Sequence, residues 1–499
     1  MKRKYILIAA LVAFLASCTD RFEEFNTDQK NPKEVSGESL FSNAQLALTD
    51  QVSSTDVNLN VWKLFAQYWT ETTYTDEANY DIINRSIPDN TFLAYYRGFL
   101  RDFQEADSLL RTAEADLGNP DFEKERTNKL AIIELLMAYS YQNLVDMFGN
   151  VPYIESMDID NISPKYDDGA TIYQDLIRRV DAAVSRLDTL FGSYGTADLI
   201  YGGNTAAWRK FGNSLKLRLG ITIADSHPTQ SRTAVEAAIA AGVFTSPADN
   251  ALLRYLGAIH VNPIYEGVVQ SGRDDFVPAN TIVNLMNTLQ DPRRPFYFTT
   301  VGGGQYRGGI YGQSSPFSQY SHIAPAITAP DFPGILLTYD EVLLYRSEAA
   351  ARGYNVGGTP QQFYNAAITE SMLFWGGTPA DAAAYLARPG VAYTGAGTWQ
   401  QKIGTQAYLA FYTRGLEGYN IWRRLDYPVL NTPPSITSTP PVSADYNDIP
   451  KRFTYPVNEQ TLNKANYDAA TTAIGGDELT TRVFWDVRDP VAPPVAPAP

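Results

Sequence analysis

With one cysteine in 499 residues, this chain can close no disulfide of its own. Small exported proteins lean on disulfides, so a chain without them must draw its stability from a large buried core. At 44% hydrophobic and 12% aromatic it has the material. Histidine is nearly as scarce. His227, His260 and His322 stand far apart, with no HExxH pair and no thiol to complete a zinc site or a Cys-His dyad. No window approaches the eighteen apolar residues that mark a membrane-spanning helix. Basic residues are outnumbered, 40 against 55 acidic, which argues against nucleic acid as a partner.

Motifs for several chemistries are missing as well. Gly302 to Gly304 fits neither a dinucleotide fingerprint nor a phosphate loop, since Arg307 follows and no Gly-Lys-Ser/Thr does. No G-x-S-x-G elbow offers a serine nucleophile. Paired carboxylates are harder to dismiss, because 55 acids always supply some pair at glycosidase spacing; for any given pair, a solvated helix face is the plainer reading.

What is present begins at the N-terminus. Lys2, Arg3 and Lys4 precede the apolar stretch YILIAALVAFLAS from Tyr5 to Ser17, the pattern of an export leader. Thirteen residues rise only about 20 Å as a helix, short of a roughly 30 Å hydrocarbon core. A cysteine is ordinarily a small buried hydrophobe, but Cys18 ends this run, and Leu15-Ala16-Ser17-Cys18 resembles a bacterial lipobox. The resemblance implies a thiol carrying diacylglycerol on a chain that starts at Cys18. Two or three acyl chains anchor stably where one does not. Loss of the leader moves the formal charge from −15 to −18. The next stretch, TDRFEEFNTDQKNPKEVSG, is polar and acidic, as suits a tether. Acids directly behind the cysteine resemble the signal that exports lipoproteins to the outer face of the outer membrane.

The expected organisation is therefore a leader (1–17), a lipidated tether (18–38), one helical domain (39–488) and a proline-rich tail (489–499). Helical spacing is clearest from Thr127 to Phe148, where Leu130, Ile133, Met137, Tyr141, Leu144 and Phe148 recur at steps of three and four before Gly149. A second stripe runs from Ile172 to Phe191, so the two predict an antiparallel helix pair. The grammar returns at Tyr339–Gly353 and Thr359–Trp375, where small residues predict close, tetratricopeptide-like packing. The spacing is irregular. The fold class expected is mostly α, with irregular tetratricopeptide-like helix pairs, long loop excursions and few short strands. Asp291–Pro333 and Pro428–Tyr446, rich in Gly, Pro and Ser, read as long surface excursions.

Tyrosine is the surplus residue, 32 in all. Trp62 and Tyr68 sit inside a helical pattern and read as core. Tyr74 and Tyr80 lie in the polar stretch TTYTDEANYD, and Tyr306 and Tyr311 in a glycine-rich loop, so none has an obvious place in a helical stripe. If the two segments converge, four rings edged by the Asn79 amide and the Arg307 guanidinium make a platform for sugar faces. The competing reading is four ordinary loop tyrosines.

The stretches AYSYQNLVDMFGNVPYIES, IYQDLIRRVDAAVSRLD, AAWRKFGNSLKLRLGI, YDEVLLYRSEAAARGY and KRFTYPVNEQTLNKANYD, in this order behind a lipobox, resemble the SusD/RagB family of outer-membrane nutrient-binding lipoproteins. The resemblance implies a tetratricopeptide-like helical fold without catalytic activity, partnered by a SusC-like TonB-dependent transporter to which it hands oligosaccharides or peptides. It implies ligand contacts near Tyr74, Asn79 and Tyr80 and near Tyr306 and Tyr311. The first segment reads YTDEANY, with no close pair of tryptophans, so the resemblance covers the scaffold better than a starch site. No cofactor is expected, and a structural Ca²⁺ in a loop is the one metal left open. A glycan-degrading lipoprotein and a peptide-binding family member are the rival readings.

Overall fold

A computed structural model describes residues 35–433 and 449–488. Cys18, the leader, most of the tether, most of the second Pro-rich segment and the tail lie outside the described residues.

The frame is a succession of helix pairs. Helix α1 (Gly37–Ser53) opens where Ser36 Oγ accepts the Ser39 N–H, and it packs on α2 (Arg101–Thr112). Helix α3 (Phe122–Phe148) pairs with α4 (Gly169–Arg186), α4 also packs on α5 (Thr205–Thr222), and α5 pairs with α6 (Pro228–Ala241). After α7 (Asn280–Leu289) come α8 (Tyr339–Ala351) and α9 (Pro360–Phe374), packed on each other, then α10 (Pro379–Leu386), and the pair α11 (Trp399–Ala410) and α12 (Gly415–Leu425). Helix α13 (Lys464–Ile474) is the last helix among the described residues. The strands are short and join in twos: β1 (Trp69–Glu71) runs antiparallel to a strand at Phe276–Pro278, Val151–Pro152 to Tyr166–Asp167, and Ala251–Leu253 to Gly334–Leu337.

The stripe that predicted α3 as one-faced understates it. From Ala131 to Phe148 every residue except Glu134 is buried, because α3 is the central helix and meets neighbours all round. It also starts earlier than its apolar pattern, at Phe122, on a polar first turn. Glycine sets one of the closest approaches: a Cβ at Gly212 on α5 would fall 2.5 Å from Val184 Cγ2 and 3.0 Å from Leu135 Cδ2. Three helices meet there, with room for a hydrogen and nothing larger.

Through the centre runs a ladder of buried charge. Arg218 on α5 donates from Nε to Glu341 Oε1 on α8 at 2.8 Å and from Nη2 to Leu336 O at 2.9 Å. Arg414 pairs with the other Glu341 oxygen, and Tyr139 on α3 donates to Glu417 at 3.2 Å. Two turns along α8, Glu348 takes Arg424 from α12 and Arg352, and Arg352 in turn reaches Asp225. Burial works against ionising Asp225, but hydrogen bonds from Arg352 and Arg488 outweigh it and hold the carboxyl well below its ordinary range.

Asp291–Pro333, expected as a surface excursion, runs partly at the surface and dips repeatedly into the core. Arg293 is fully buried, bonded to Asp291, Ser371 and Gln406, and Tyr297, Phe298, Tyr311 and Ile327 join the main core. A segment without regular structure can be buried only if its polar groups find partners, and this one supplies them through side chains.

Candidate functional site

A cavity of about 750 Å³ opens at the surface between the C-terminal end of α1, the turn Ser54–Leu59, the end of β1 and the segment Pro263–Phe276. That volume falls in the usual range for small-molecule sites. Two wide, π-helical turns border it: Ala94–Leu100, which leads into α2, and Glu266–Gln270. Such turns recur at functional sites because they push backbone out of the helical cylinder. The second approaches so closely that a Cβ at Gly267 would lie 2.0 Å from Thr55 Oγ1.

Most of the lining residues are polar or charged, set among apolar ones. Asp50 accepts the Tyr255 hydroxyl at 2.6 Å, and burial raises its carboxyl above the ordinary value. Asp56 Oδ1 accepts the Asn58 N–H at 2.9 Å and so shapes the turn after α1. Lys63, wholly buried behind the wall, donates to Ser53 O at 2.9 Å and Ser54 O at 2.8 Å, and burial pulls its ammonium down to about 7. At the rim Arg273 pairs with Asp275 at 2.6 Å.

On the floor, Glu71 ends β1 and Glu77 starts the next short turn. Glu71 Oε2 accepts the Ala78 N–H at 3.0 Å, and Arg85 pairs with Glu77. Burial and the adjoining Glu77 carboxyl together hold Glu71 far above the ordinary carboxylate range. The five residues between them form a loop whose tip, Tyr74, is 65% exposed and stands on the cavity wall.

Of the six ligand-contacting residues expected from the sequence, only Tyr74 lines this cavity. The two segments do converge, but inside the protein. Tyr80 is 0% and Tyr311 2% exposed, their rings 6.4 Å apart, and Asn79 Nδ2 donates to Gly312 O at 2.8 Å. The expectation that Tyr80 and Tyr311 have no seat in the core is corrected: the loop from Tyr306 to Ser315 folds back over β1, where Ser315 N donates to Thr72 O at 3.0 Å. Tyr306 is half-buried under the Arg294 guanidinium, 5.3 Å from its ring, and exposed Arg307 lies over Tyr320 at 5.1 Å. Neither lines the cavity. Trp62 and Tyr68 are core as expected, but only Trp62 is helical, in the short turn Trp62–Phe65; Tyr68 sits in a bend just before β1.

Glu71, Glu77, Asp50 and Asp56 escaped the sequence reading. A signal existed for the first two: three acids, Glu71, Asp76 and Glu77, crowd around a tyrosine in ETTYTDE. Among the described residues no group of three or more His, Cys, Asp or Glu is placed to hold a metal ion, and no helix is long and apolar enough to cross a membrane.

Fold and cavity together define a scaffold of helix pairs that presents a ligand-sized polar cleft beside an exposed aromatic ring. The chain belongs to the SusD-like family described as starch-binding and associating with the outer membrane, whose model matches residues 29–456. Among solved structures it is similar to a chitin-binding protein, 25% identical over 91% of this chain and 100% of that one, with a TM-score of 0.76. A SusD homologue from Bacteroides uniformis is 25% identical over 90% of this chain and 99% of that one, TM-score 0.77. A chitin-binding SusD homologue from Flavobacterium johnsoniae, 23% identical over 91% and 98%, TM-score 0.76, shares the fold. A comparison with curated protein sequences finds no match.

Proposed function

We propose that this protein is a lipid-anchored protein of the outer-membrane surface that captures an oligosaccharide in the cleft beside Tyr74 and passes it to a SusC-like TonB-dependent transporter. The observation that carries the reading is the open, polar cavity of about 750 Å³ with an exposed ring on its wall, in a chain of a starch-binding family. A sugar presents an apolar face for stacking and hydroxyls for hydrogen bonds, and the cleft supplies both kinds of partner.

A binding role, rather than hydrolysis, follows the family description, which names starch binding; the touching pair on the floor, Glu71 and Glu77, is itself too close to straddle a glycosidic bond, which needs acids about 5 Å or more apart. One ring worth about 0.5–1.5 kcal/mol and a few solvent-exposed hydrogen bonds give weak capture after association costs, which suits handover to a tethered partner.

Affinity gels cast with neutral polysaccharides test this. Retardation by at least one of them, relieved in Tyr74→Ala, is the expected result, with no new reducing ends after prolonged incubation. No retardation by any saccharide, with binding to peptides instead, overturns the glycan reading in favour of a peptide carrier; release of reducing ends overturns the non-catalytic one.

A further inference from the structure

Acids outnumber bases around the cleft, and the bases are already taken. Both guanidiniums of the lining are engaged within it, Arg85 by Glu77 and Arg273 by Asp275 at 2.6 Å. Glu71 is buried beside Glu77 and stands aside from the count. Asp50, Asp56 and Glu266 remain. Asp50 takes the Tyr255 hydroxyl at 2.6 Å, and Asp56 takes the Asn58 N–H at 2.9 Å and the Asn58 side-chain amide at 2.7 Å. These donors carry no charge. Asp56 and Glu266 are exposed, Asp50 half-buried.

The three carboxylates belong to one wall. Asp50 lies in the last turn of α1, and Asp56 in the turn that follows it. Glu266 opens the π-helical turn whose Gly267 meets Thr55, so Asp56 and Glu266 each stand one residue from that contact. Glu266 and His260 both act on Asp50 electrostatically. Behind the wall, Lys63 turns its ammonium to the carbonyls of Ser53 and Ser54. A cavity of about 750 Å³ is on the order of 10 Å across, and the Debye length at physiological salt is about 8 Å. A ligand stacked on Tyr74 therefore feels all three charges.

We propose that Asp50, Asp56 and Glu266 make the cleft selective for uncharged saccharides and exclude glycans that carry carboxylate or sulfate groups. The inference rests on the glycan-binding reading above and names the ligand class. An aromatic ring stacks on a sugar face whether or not the sugar bears an acid, so Tyr74 alone cannot tell the two apart. The wall can. A uronate or sulfate ester entering the cleft gives up water and meets like charges with no unengaged guanidinium to receive it, and walls of one sign focus the field there. An uncharged unit meets the same oxygens as acceptors for its hydroxyls. Selectivity thus comes from an element that penalises the wrong ligand.

Affinity gels on the purified protein decide it, with starch, glycol chitin and any further neutral polysaccharide that retards the protein each run beside its own carboxymethyl derivative. In about 20 mM salt the carboxymethyl member is expected to bind about tenfold more weakly or worse, and the gap should narrow in about 0.5 M salt. In Asp56→Asn/Glu266→Gln the ratio of neutral to carboxymethyl binding should fall severalfold. The overall negative charge of the protein is controlled by Glu114→Gln/Asp121→Asn, which removes the same two charges from exposed positions outside the cleft. These lie toward the far end of α1, where Lys129 of α3 pairs with Glu38, and the 17 residues of α1 span about 25 Å. Equal binding of the two members in the parent protein, or stronger binding of the carboxymethyl one, overturns the inference alone. So does an unchanged ratio in the folded cleft variant, or an equal fall in the control. If no polysaccharide of either kind retards the protein, the glycan reading falls with it.

Discussion

The ring of Tyr80 lies 6.4 Å from the ring of Tyr311, tilted by 50°, and neither side chain reaches the surface. Tyr80 stands at a left-handed backbone position, φ 68°, at the end of the Glu77–Asn79 turn, and Phe65 packs edge-on against it at 5.2 Å. Two segments that look like loops are thereby pinned to the core.

Tyr80→Ala and Tyr311→Ala should each cost stability on the scale of a large core truncation, roughly 3–5 kcal/mol. Tyr74→Ala should leave the thermal midpoint where it is and weaken ligand capture alone. Melting curves beside affinity gels separate the two classes. A melting loss for Tyr74→Ala as large as for Tyr80→Ala would dissolve the distinction.

Glu341 joins Arg218 and Arg414 inside the protein, so Glu341→Gln leaves two buried guanidiniums short of a counter-charge. The expected loss is about 3–5 kcal/mol by denaturant unfolding. Removing the exposed Arg178 that faces Asp175 should leave the unfolding midpoint nearly unchanged. Comparable losses for the two would mean that the central ladder is no more than a surface pair in effect.

Asp146 gives a pH signature. Burial lifts its carboxyl to about 6 from 3.8, against the opposing hydrogen bonds from Tyr173 and Trp485. The unfolded chain therefore gives up this proton at lower pH than the folded one. The contribution to stability is complete below the unfolded value and is lost as pH rises through about 6, a swing of roughly 3 kcal/mol. Thermal midpoints taken from about pH 4 to pH 7 should fall more steeply in the parent than in Asp146→Asn; parallel curves would show that Asp146 is not the titrating group.

Cys18→Ala should abolish acyl labelling and remove the protein from outer-membrane fractions. Normal membrane recovery of that variant, with label on another residue, would end the lipid-anchor reading.

The helices were legible because their signals are local. Leu130 to Phe148 at steps of three and four, and Thr359 with Gln362 at the start of α9, announce themselves within a few residues. The cleft was not, because its walls come from α1, β1 and Pro263–Phe276, which only folding brings together. Tyr74 could be picked out by its polar neighbours. Tyr80 and Tyr311 have similar neighbours and the opposite fate, since long-range packing, not composition, decides which loop tyrosine is covered.

The buried ladder has a bearing on descent. Tyr139, Arg218, Glu341, Glu348 and Arg352 all fall in the stretches by which the chain resembles its relatives, whereas Glu71, Tyr74 and Glu77 fall outside them. The resemblance thus follows only part of the frame's buried charge, since Asp225, Arg414, Glu417 and Arg424 complete the ladder from outside those stretches, and it does not touch the cleft at all.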